Sequence, residues 1–386
     1  MALIVQKYGG TSVGSLERIA KVAKNVWQAK HNGNQVIVVV SAMSGETNRL
    51  LKLAHNISPT PDQRALDTLA ATGEQVTISL LNIALIQLGL KVKSYCGWQV
   101  PILTSNDFTQ ARIKHINTQK IKRDLADDNI VIVAGFQGMN EEGEITTLGR
   151  GGSDTSAVAL AVAFQASECQ IYTDVNGIYT ADPNKVVTAQ RIEIVNGTCM
   201  LEASSLGAKV LHVRSCELGY RYKTNIRVLS SFAPQDQGSL VVNQYELENY
   251  PIISLSTQEQ QVLFTFKPSL NLNQVLTEIY SNSAIDMLQI NQQNISFVVE
   301  ESQATKLTKA LTQLGITELH LTHNLAKFSL IGSGFRSNRE LNQQVWHLLT
   351  GSDIFAVSHN EISISVLVHD WEAATVRTKL SKMLAY

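Results

Sequence analysis

Apolar residues fall into two patterns along the chain. Short β-branched runs at 36–40 and 130–133 carry no polar interruption, as strands buried on both faces do. Helical stretches, such as 16–30 and 65–88, lie between such runs. The alternation holds through residues 1–245 and predicts an α/β domain with a largely parallel central sheet. Ligands in such sheets bind beyond the carboxyl ends of the strands. The pattern breaks after Leu229: residues 230–251 (SSFAPQDQGSLVVNQYELENYP) are polar and turn-rich, and read as a linker.

Beyond the linker the chain repeats itself. A shift of about 69 residues lays Leu272-Asn273-Gln274 on Leu341-Asn342-Gln343. The same shift brings Ile285 onto Ile354, Asn291 onto Asn360, and Ile295-Ser296 onto Ile364-Ser365. Each copy reads strand, helix, strand, strand, helix. The first closes with a strand at 318–322; the second ends at its helix, and residues 251–257 (PIISLST) would supply its missing strand. Two packed βαββαβ units are expected, one over 258–322 and one made of 250–257 plus 323–386.

Composition then locates the chemistry. Residues 1–249 hold 19 of the 23 glycines, and loops that let backbone approach a ligand need glycine. The formal net charge of -1 offers no field to recruit nucleic acid or an anionic membrane. Cys96, Cys169, Cys199 and Cys216 have no CxxC spacing and suit a reducing cytosol as small apolar residues. The opening MALIVQKYGG turns polar too early for a signal peptide, and no later segment reads as a membrane span. A cytoplasmic protein is expected.

Four constellations carry candidate chemistry. Lys7-Tyr8-Gly9-Gly10-Thr11-Ser12 follows a strand at 3–6. Paired glycines leave N–H groups to face phosphate oxygens, and Lys7 adds a charge. The Walker spacing is absent, and a glycine turn with a surface lysine explains these residues equally well. Thr146-Thr147-Leu148-Gly149-Arg150-Gly151-Gly152-Ser153-Asp154 precedes an apolar helix at 155–164 and reads as an anion site at a helix start. Arg150 has the fork to grip a carboxylate; Asp154 would cap the helix, orient a lysine or hold a metal. The turn from Thr173 and Asp174 to Tyr179, Asp182 and Pro183 offers carboxylates to ribose, adenine or magnesium, though two tight turns explain it locally. Ser41, Thr47, Glu74 and Lys209 are scattered, with Glu74 set in an otherwise apolar helical pattern.

Taken together and in order, these segments resemble the aspartate kinases of the amino-acid kinase family, and the C-terminal repeat resembles the paired ACT modules that follow the kinase domain there. The resemblance rests on 7–10, 39–47, 71–74, Gly135-Phe136-Gln137-Gly138, 146–156, 172–183 and 206–211, and spans residues 1–245. It implies transfer of the γ-phosphate of ATP, with Mg2+, to the side-chain carboxylate of L-aspartate. Lys7, Tyr8, Gly9 and Gly10 would hold ATP, with Lys7 neutralising the transferred group. Thr47, Glu74, Arg150, Gly151 and Ser153 would bind aspartate, Glu74 taking the α-ammonium and Arg150 a carboxylate. Ser41 would line the junction of the substrates, Asp154 would order Lys7, and Thr173, Asp174, Tyr179, Asp182, Asn184 and Lys209 would bind nucleotide. The modules imply a homodimer or higher oligomer and a lysine or threonine effector.

The chain departs from the family pattern at Asn184, usually arginine, and at Val213, usually proline. The glycine turns that open the module helices are replaced by residues 267–273 (KPSLNLN) and by Ser337-Asn338-Arg339-Glu340, so feedback inhibition is expected to be weak, altered or absent. Three alternatives compete: another kinase of the superfamily, disfavoured by the repeat and the Glu74 segment; a catalytically weak amino-acid-sensing subunit, disfavoured by intact Lys7, Glu74, Arg150 and Asp154; and a bifunctional enzyme, for which 386 residues are expected to leave no room for a dehydrogenase.

Overall fold

The computed structural model describes residues 1–233, 235–243, 254–267, 271–332 and 334–384. The chain forms two compact units, one of Met1–Ile178, Arg191–Ser204 and Lys209–Leu247, the other of Tyr179–Gln190, Ser205–Ala208 and Glu248–Tyr386. The expected block 1–245 is thus interrupted twice. Tyr179–Gln190 belongs to the second unit because Ala181 and Val186 are buried in its core and the Thr180 carbonyl accepts the Leu255 N–H at 2.7 Å. Ser205–Ala208 joins it through the Ser256 hydroxyl, which donates to the Leu206 carbonyl at 2.7 Å.

An eight-stranded sheet carries the first unit. From edge to edge its strands are Ile194–Asn196, Ser239–Val242, Ile226–Ser230, Glu168–Thr173, Leu3–Tyr8, Gln35–Val40, Ile130–Ala134 and Val92–Tyr95. All neighbours run parallel except Ser239–Val242 against Ile226–Ser230. The inner strands Gln35–Val40 and Ile130–Ala134 are buried almost throughout, which explains their unbroken β-branched runs. The segment expected as a linker contributes the strand Ser239–Val242, which belongs to this sheet; residues 234 and 244–251 of it lie outside the described residues.

Helix Leu16–His31 starts where the Ser15 hydroxyl accepts the Arg18 N–H at 3.2 Å, and buries Ile19, Val22, Ala23, Val26 and Ala29 along one stripe. These pack with Ile78, Leu81 and Leu85 of helix Thr72–Gln87 in one core cluster. The helix expected over 65–88 is two, Gln63–Ala70 and Thr72–Gln87. Contrary to expectation, Gln63–Gln87 is long and apolar enough to cross a membrane by length and composition. Leu66, Ala70, Ile78, Leu81 and Leu85 on it are buried in the protein, while Val76, Ile83 and Ile86 are exposed. A smaller sheet of Ile113–Ile116, Ile102–Thr104, Gln137–Met139 and Ile145–Thr147 completes the unit.

The second unit is a six-stranded antiparallel sheet: Asp286–Ile290, Ile295–Glu300, Ser254–Phe266, Leu319–Ile331, Ser363–His369 and Ile354–His359. Each half has its own helices and core. Phe264, Phe266 and Phe297 pack with Val275, Ile279, Leu307 and Leu311 of Leu272–Asn282 and Glu301–Gln313. Phe328, Leu330, Ile364 and Val366 pack with Val345, Val376 and Leu380 of Arg339–Leu348 and Ala373–Ser381. This is the region consistent with paired ACT domains. The boundaries set at 258 and 322 fall inside the two 13-residue strands Ser254–Phe266 and Leu319–Ile331, which run through both halves. The strand expected at 318–322 does not stop there, because residues 325–331 continue as a buried run. Register shifts between Gln258, Gln261 and Leu263 mark the passage from one half to the other. Of the strand expected at 251–257, residues 251–253 are outside the described residues and Ser254–Thr257 pair with Ile331–Phe328.

Candidate active site

Parallel strands of the first unit deliver their carboxyl ends to one cleft of about 470 Å³. Leu3–Tyr8 brings Lys7 and then Gly9 and Gly10. Gln35–Val40 is followed by Ser41–Gly45, Ile130–Ala134 leads to Phe136, and Glu168–Thr173 brings Thr173 with Asp174. Two helices begin at the same cleft, Glu46–Ile57 after Gly45 and Gly152–Ala163 after Gly151.

Those two helix starts share an unusual chemistry. Gly45 and Gly151 are both left-handed, at φ 79° and 68°, and neither offers a side chain to cap the N–H groups that follow. The positive ends of both helices therefore open on the cleft. Gly151 has a second reason to be glycine: a Cβ there would stand 2.2 Å from the His212 ring. Burial lowers the His212 imidazole below its ordinary range, so a neutral ring packs beneath this turn at neutral pH.

Charge in the cleft is arranged in pairs and orphans. The Lys7 ammonium is nearly buried and lies 2.6 Å from Asp154 Oδ1. Glu74 is buried at 2% exposure, and its Oε1 accepts the Ala42 N–H at 2.9 Å. Its Oε2 is buried without a hydrogen-bond partner. Burial pushes the Glu74 carboxyl up to about 8, against the weaker opposing pull of the Ala42 N–H. Gly73 makes this placement possible, since a Cβ there would come within 2.8 Å of Ala42 Cβ. Arg150 is exposed, and Ser153 is buried beside it in the first turn of Gly152–Ala163. The cleft thus presents cations, helix starts and one carboxylate oxygen lacking a partner.

The amino acid kinase family profile matches residues 2–230. An aspartate kinase from Stutzerimonas stutzeri is 42% identical over 387 residues, covering 96% of this chain and 94% of that protein. Aspartokinase 2 of Bacillus subtilis is 41% identical over 386 residues, with the same two coverages. The chain belongs to the aspartokinases of the amino acid kinase family. Among solved aspartokinases, E. coli aspartokinase III in complex with aspartate and ADP is similar at a TM-score of 0.85 and 25% identity, over 100% of both chains.

Of the residues singled out by the aspartokinase resemblance, the cleft gathers Lys7, Gly9, Gly10, Ser41, Thr47, Glu74, Arg150, Gly151, Ser153, Asp154, Thr173 and Asp174. Tyr8 does not join them. Its side chain is fully buried and stacks on Tyr172 at 4.6 Å between ring centres, because successive strand residues point to opposite faces and Lys7 takes the other one. Tyr179, Asp182 and Asn184 belong to the segment packed with the second unit. There Asp182 Oδ1 accepts the backbone and side-chain N–H groups of Asn184 at 3.0 and 3.2 Å, forming a tight turn. Lys209 is exposed between helices Gly197–Ser205 and Val213–Arg221 and does not line the cleft. Sequence reasoning missed Asn48 and Phe136 as lining residues, and His212 beneath the glycine turn. Phe136 holds φ 70°, costly for an aromatic residue, and nothing local in the sequence announces it.

Proposed function

We propose that the protein transfers the γ-phosphate of ATP to the side-chain carboxylate of L-aspartate, giving 4-phospho-L-aspartate. The observation that carries this reading is Glu74, a buried carboxylate with one unpartnered oxygen in a cleft that also holds Arg150. An amino acid is a zwitterion, and this pair complements it: Glu74 for the α-ammonium and Arg150 for a carboxylate. Thr47 and Ser153 supply further hydrogen bonds to it, and Ser41 stands at the junction with the nucleotide. Relatives above 40% identity named for this activity support the same reading.

The chemistry asks little of a general base. A free aspartate carboxyl titrates near 4 and is already a nucleophile at neutral pH. Its oxygen bonds to the γ-phosphorus while the bond to the β,γ-bridging oxygen breaks, and ADP leaves with the electron pair. No proton moves. The obstacle is bringing one anion onto another, and the remedy is fixed positive charge. Lys7, steadied by Asp154, neutralises the transferred group, and the N–H groups at Gly10 and the two helix starts donate to phosphate oxygens. Thr173 and Asp174, at the edge of the same cleft, hold the rest of the nucleotide. Magnesium, when bound, spreads the phosphate charge. Among the described residues no group of three His, Cys, Asp or Glu side chains is set to hold a metal. Asp154 and Asp174, which line the cleft, are the carboxylates that would hold the ion.

The antiparallel unit serves dimerisation in this reading, and the protein works in the cytoplasm. E. coli aspartokinase III is also known in complex with lysine and aspartate. In this chain the side chain of Asn338 accepts the Leu341 N–H at 3.0 Å and that of Asn271 the Gln274 N–H at 3.4 Å, so each module's first helix is capped from within. These capped turns support the reading that lysine and threonine feedback is weak, altered or absent, and calorimetry detecting micromolar binding of either would refute it. Residues 268–270 of the altered first turn lie outside the described residues. The reading as a whole is tested by ADP release with magnesium, ATP and L-aspartate. Turnover that requires aspartate and disappears in Lys7→Ala is expected; a folded protein that releases no ADP with aspartate would overturn it.

A further inference from the structure

Behind the cleft, a second pair of charges grips the backbone that carries Arg150. Asp67, on helix Gln63–Ala70, is 1% exposed. Its Oδ2 accepts the N–H groups of Thr109 and Thr147 at 2.9 and 2.8 Å, and its Oδ1 accepts the Thr147 hydroxyl at 2.6 Å. Arg214 grips the same two segments by their carbonyls, donating to Leu148 and, at 2.9 Å, to Ala111. Between them the Ala111 N–H donates to the Thr147 carbonyl at 2.9 Å. One feature shows that this arrangement is imposed. Thr109 sits at φ 67°, a left-handed conformation that β-branched residues avoid. Its carbonyl comes so close to Gly149 that a Cβ there would stand 2.7 Å away.

We propose that Asp67 and Arg214 are positioning residues for aspartate recognition: they clamp the 105–111 loop onto Thr147 and Leu148 and thereby fix the backbone from which Arg150 reaches the cleft. The inference rests on Arg150 gripping the substrate carboxylate. A carboxylate fork needs its guanidinium aligned, and Arg150 is exposed, so its own surroundings do not supply that alignment. The strain at Thr109 persists because Asp67 holds its N–H while the Thr147 carbonyl at the strand end holds the N–H of Ala111, two residues on.

Asp67→Ala, Asp67→Asn and Arg150→Ala separate the possibilities, with KM for each substrate and hydrogen exchange over residues 105–112 and 147–151 as readouts. Asp67→Ala should raise KM for aspartate at least tenfold, leave KM for ATP within about twofold, and speed exchange in both segments. Asp67→Asn should restore both, since its amide oxygen still accepts two N–H groups and its NH2 can donate to the Thr147 hydroxyl. A merely structural role would lower thermal stability while moving both KM values together, and would overturn the proposal. So would unchanged exchange in Asp67→Ala. If Asp67→Ala does not fold, Arg214→Gln opens the other jaw and should give the same selective rise; an unchanged aspartate KM there overturns the clamp. Arg150→Ala with a wild-type aspartate KM would sink the reading of Arg150, and this inference with it, whatever the exchange shows.

Discussion

Some helices of the two units begin differently. In the first, the helices that open on the cleft start from left-handed Gly45 and Gly151 with no side-chain cap. In the second, Asn271 and Asn338 cap the first helix of each half with their own side chains. A cap satisfies N–H groups and stabilises the helix by about 1 kcal/mol. Leaving it out forgoes that stability and keeps the N–H groups for a ligand. Two helices of the first unit away from the cleft, Leu16–His31 and Gln63–Ala70, are capped by Ser15 and Asp62, while Gln119–Ala126 and, in the second unit, Glu301–Gln313 and Ala373–Ser381 lack a side-chain cap without starting from a glycine. Uncapped glycine starts coincide with the cleft, where Lys7 and Glu74 are buried too; the second unit's buried Lys327 instead pairs with Asp286 away from any such helix start.

The largest expected effect comes from removing the cleft's buried cation. Lys7→Ala should lower kcat by about a thousandfold, the range seen when a preorganised charge is taken from a developing anion. Single-turnover phosphoryl transfer measures it. Wild-type kcat would mean that the helix starts alone neutralise the phosphate, and would end the argument that buried charge and uncapped termini work together.

Glu74→Gln comes next and carries a pH signature. Charge removal should raise KM for aspartate on the order of a hundredfold. In the ligand-free protein the Glu74 carboxyl is raised from 4.5 to about 8, so the folded chain holds a proton that the unfolded chain releases above 4.5. Its contribution to stability is therefore full below 4.5 and is lost as pH rises toward 8. Thermal denaturation should show Glu74→Gln more stable than wild type at pH 8 and above, with no gain at pH 4.5. Binding an ammonium demands the ionised form, so the wild-type KM for aspartate should fall as pH rises to about 8, and the Gln variant should lose that slope. A pH-independent wild-type KM below 8 would contradict Glu74 as the ammonium partner.

Glycines test the division more finely. Gly151→Ala must adopt φ 68° and meet the His212 ring, which costs about 1–3 kcal/mol and disturbs the helix start under Arg150. Gly351 in the second unit has φ 80° with nothing within 4 Å, so Gly351→Ala costs only backbone strain, about 1–2 kcal/mol. Denaturant titration paired with kcat should show both variants destabilised and only Gly151→Ala slowed, by tenfold or more. Equal kcat values would place the cleft's geometry elsewhere.

Much of this contrast was legible beforehand, and the reasons are local. The strands at 36–40 and 130–133 announced themselves because burial on both faces leaves no polar residue to confuse the pattern. The two glycine motifs were visible because ligand-facing backbone needs glycine. The strand Ser239–Val242 was hidden inside a polar segment, since a four-residue strand gives little periodicity to read. The long strands through both halves of the second unit were cut at 258 and 322 because a repeat shows where copies recur and not where strands pass between them. Asp67 and His212 went unnoticed for another reason. Their partners, Thr147 and Gly151, lie far along the chain, so only folding brings them together.

The smallest effect asks whether capped helices are silent in catalysis. The Asn338 side chain accepts the Leu341 N–H at 3.0 Å, and its carbonyl accepts the backbone and side-chain N–H groups of Asn342. Asn338→Ala keeps the carbonyl bonds and loses only the cap, so the cost should be about 1 kcal/mol, read as a shift of the denaturation midpoint at constant slope. Neither kcat nor either KM should move, because the cap feeds nothing into the cleft. Removing it also frees an N–H at the helix start, where an anionic effector group would find a donor. Calorimetry with lysine and threonine on both proteins therefore sharpens the comparison. No heat from wild type is expected, and heat appearing only in Asn338→Ala would show that an internal cap is what closes this terminus. A changed kcat in the variant without ligand would break the division itself, since a capped helix that lines no part of the cleft would then be speaking to it.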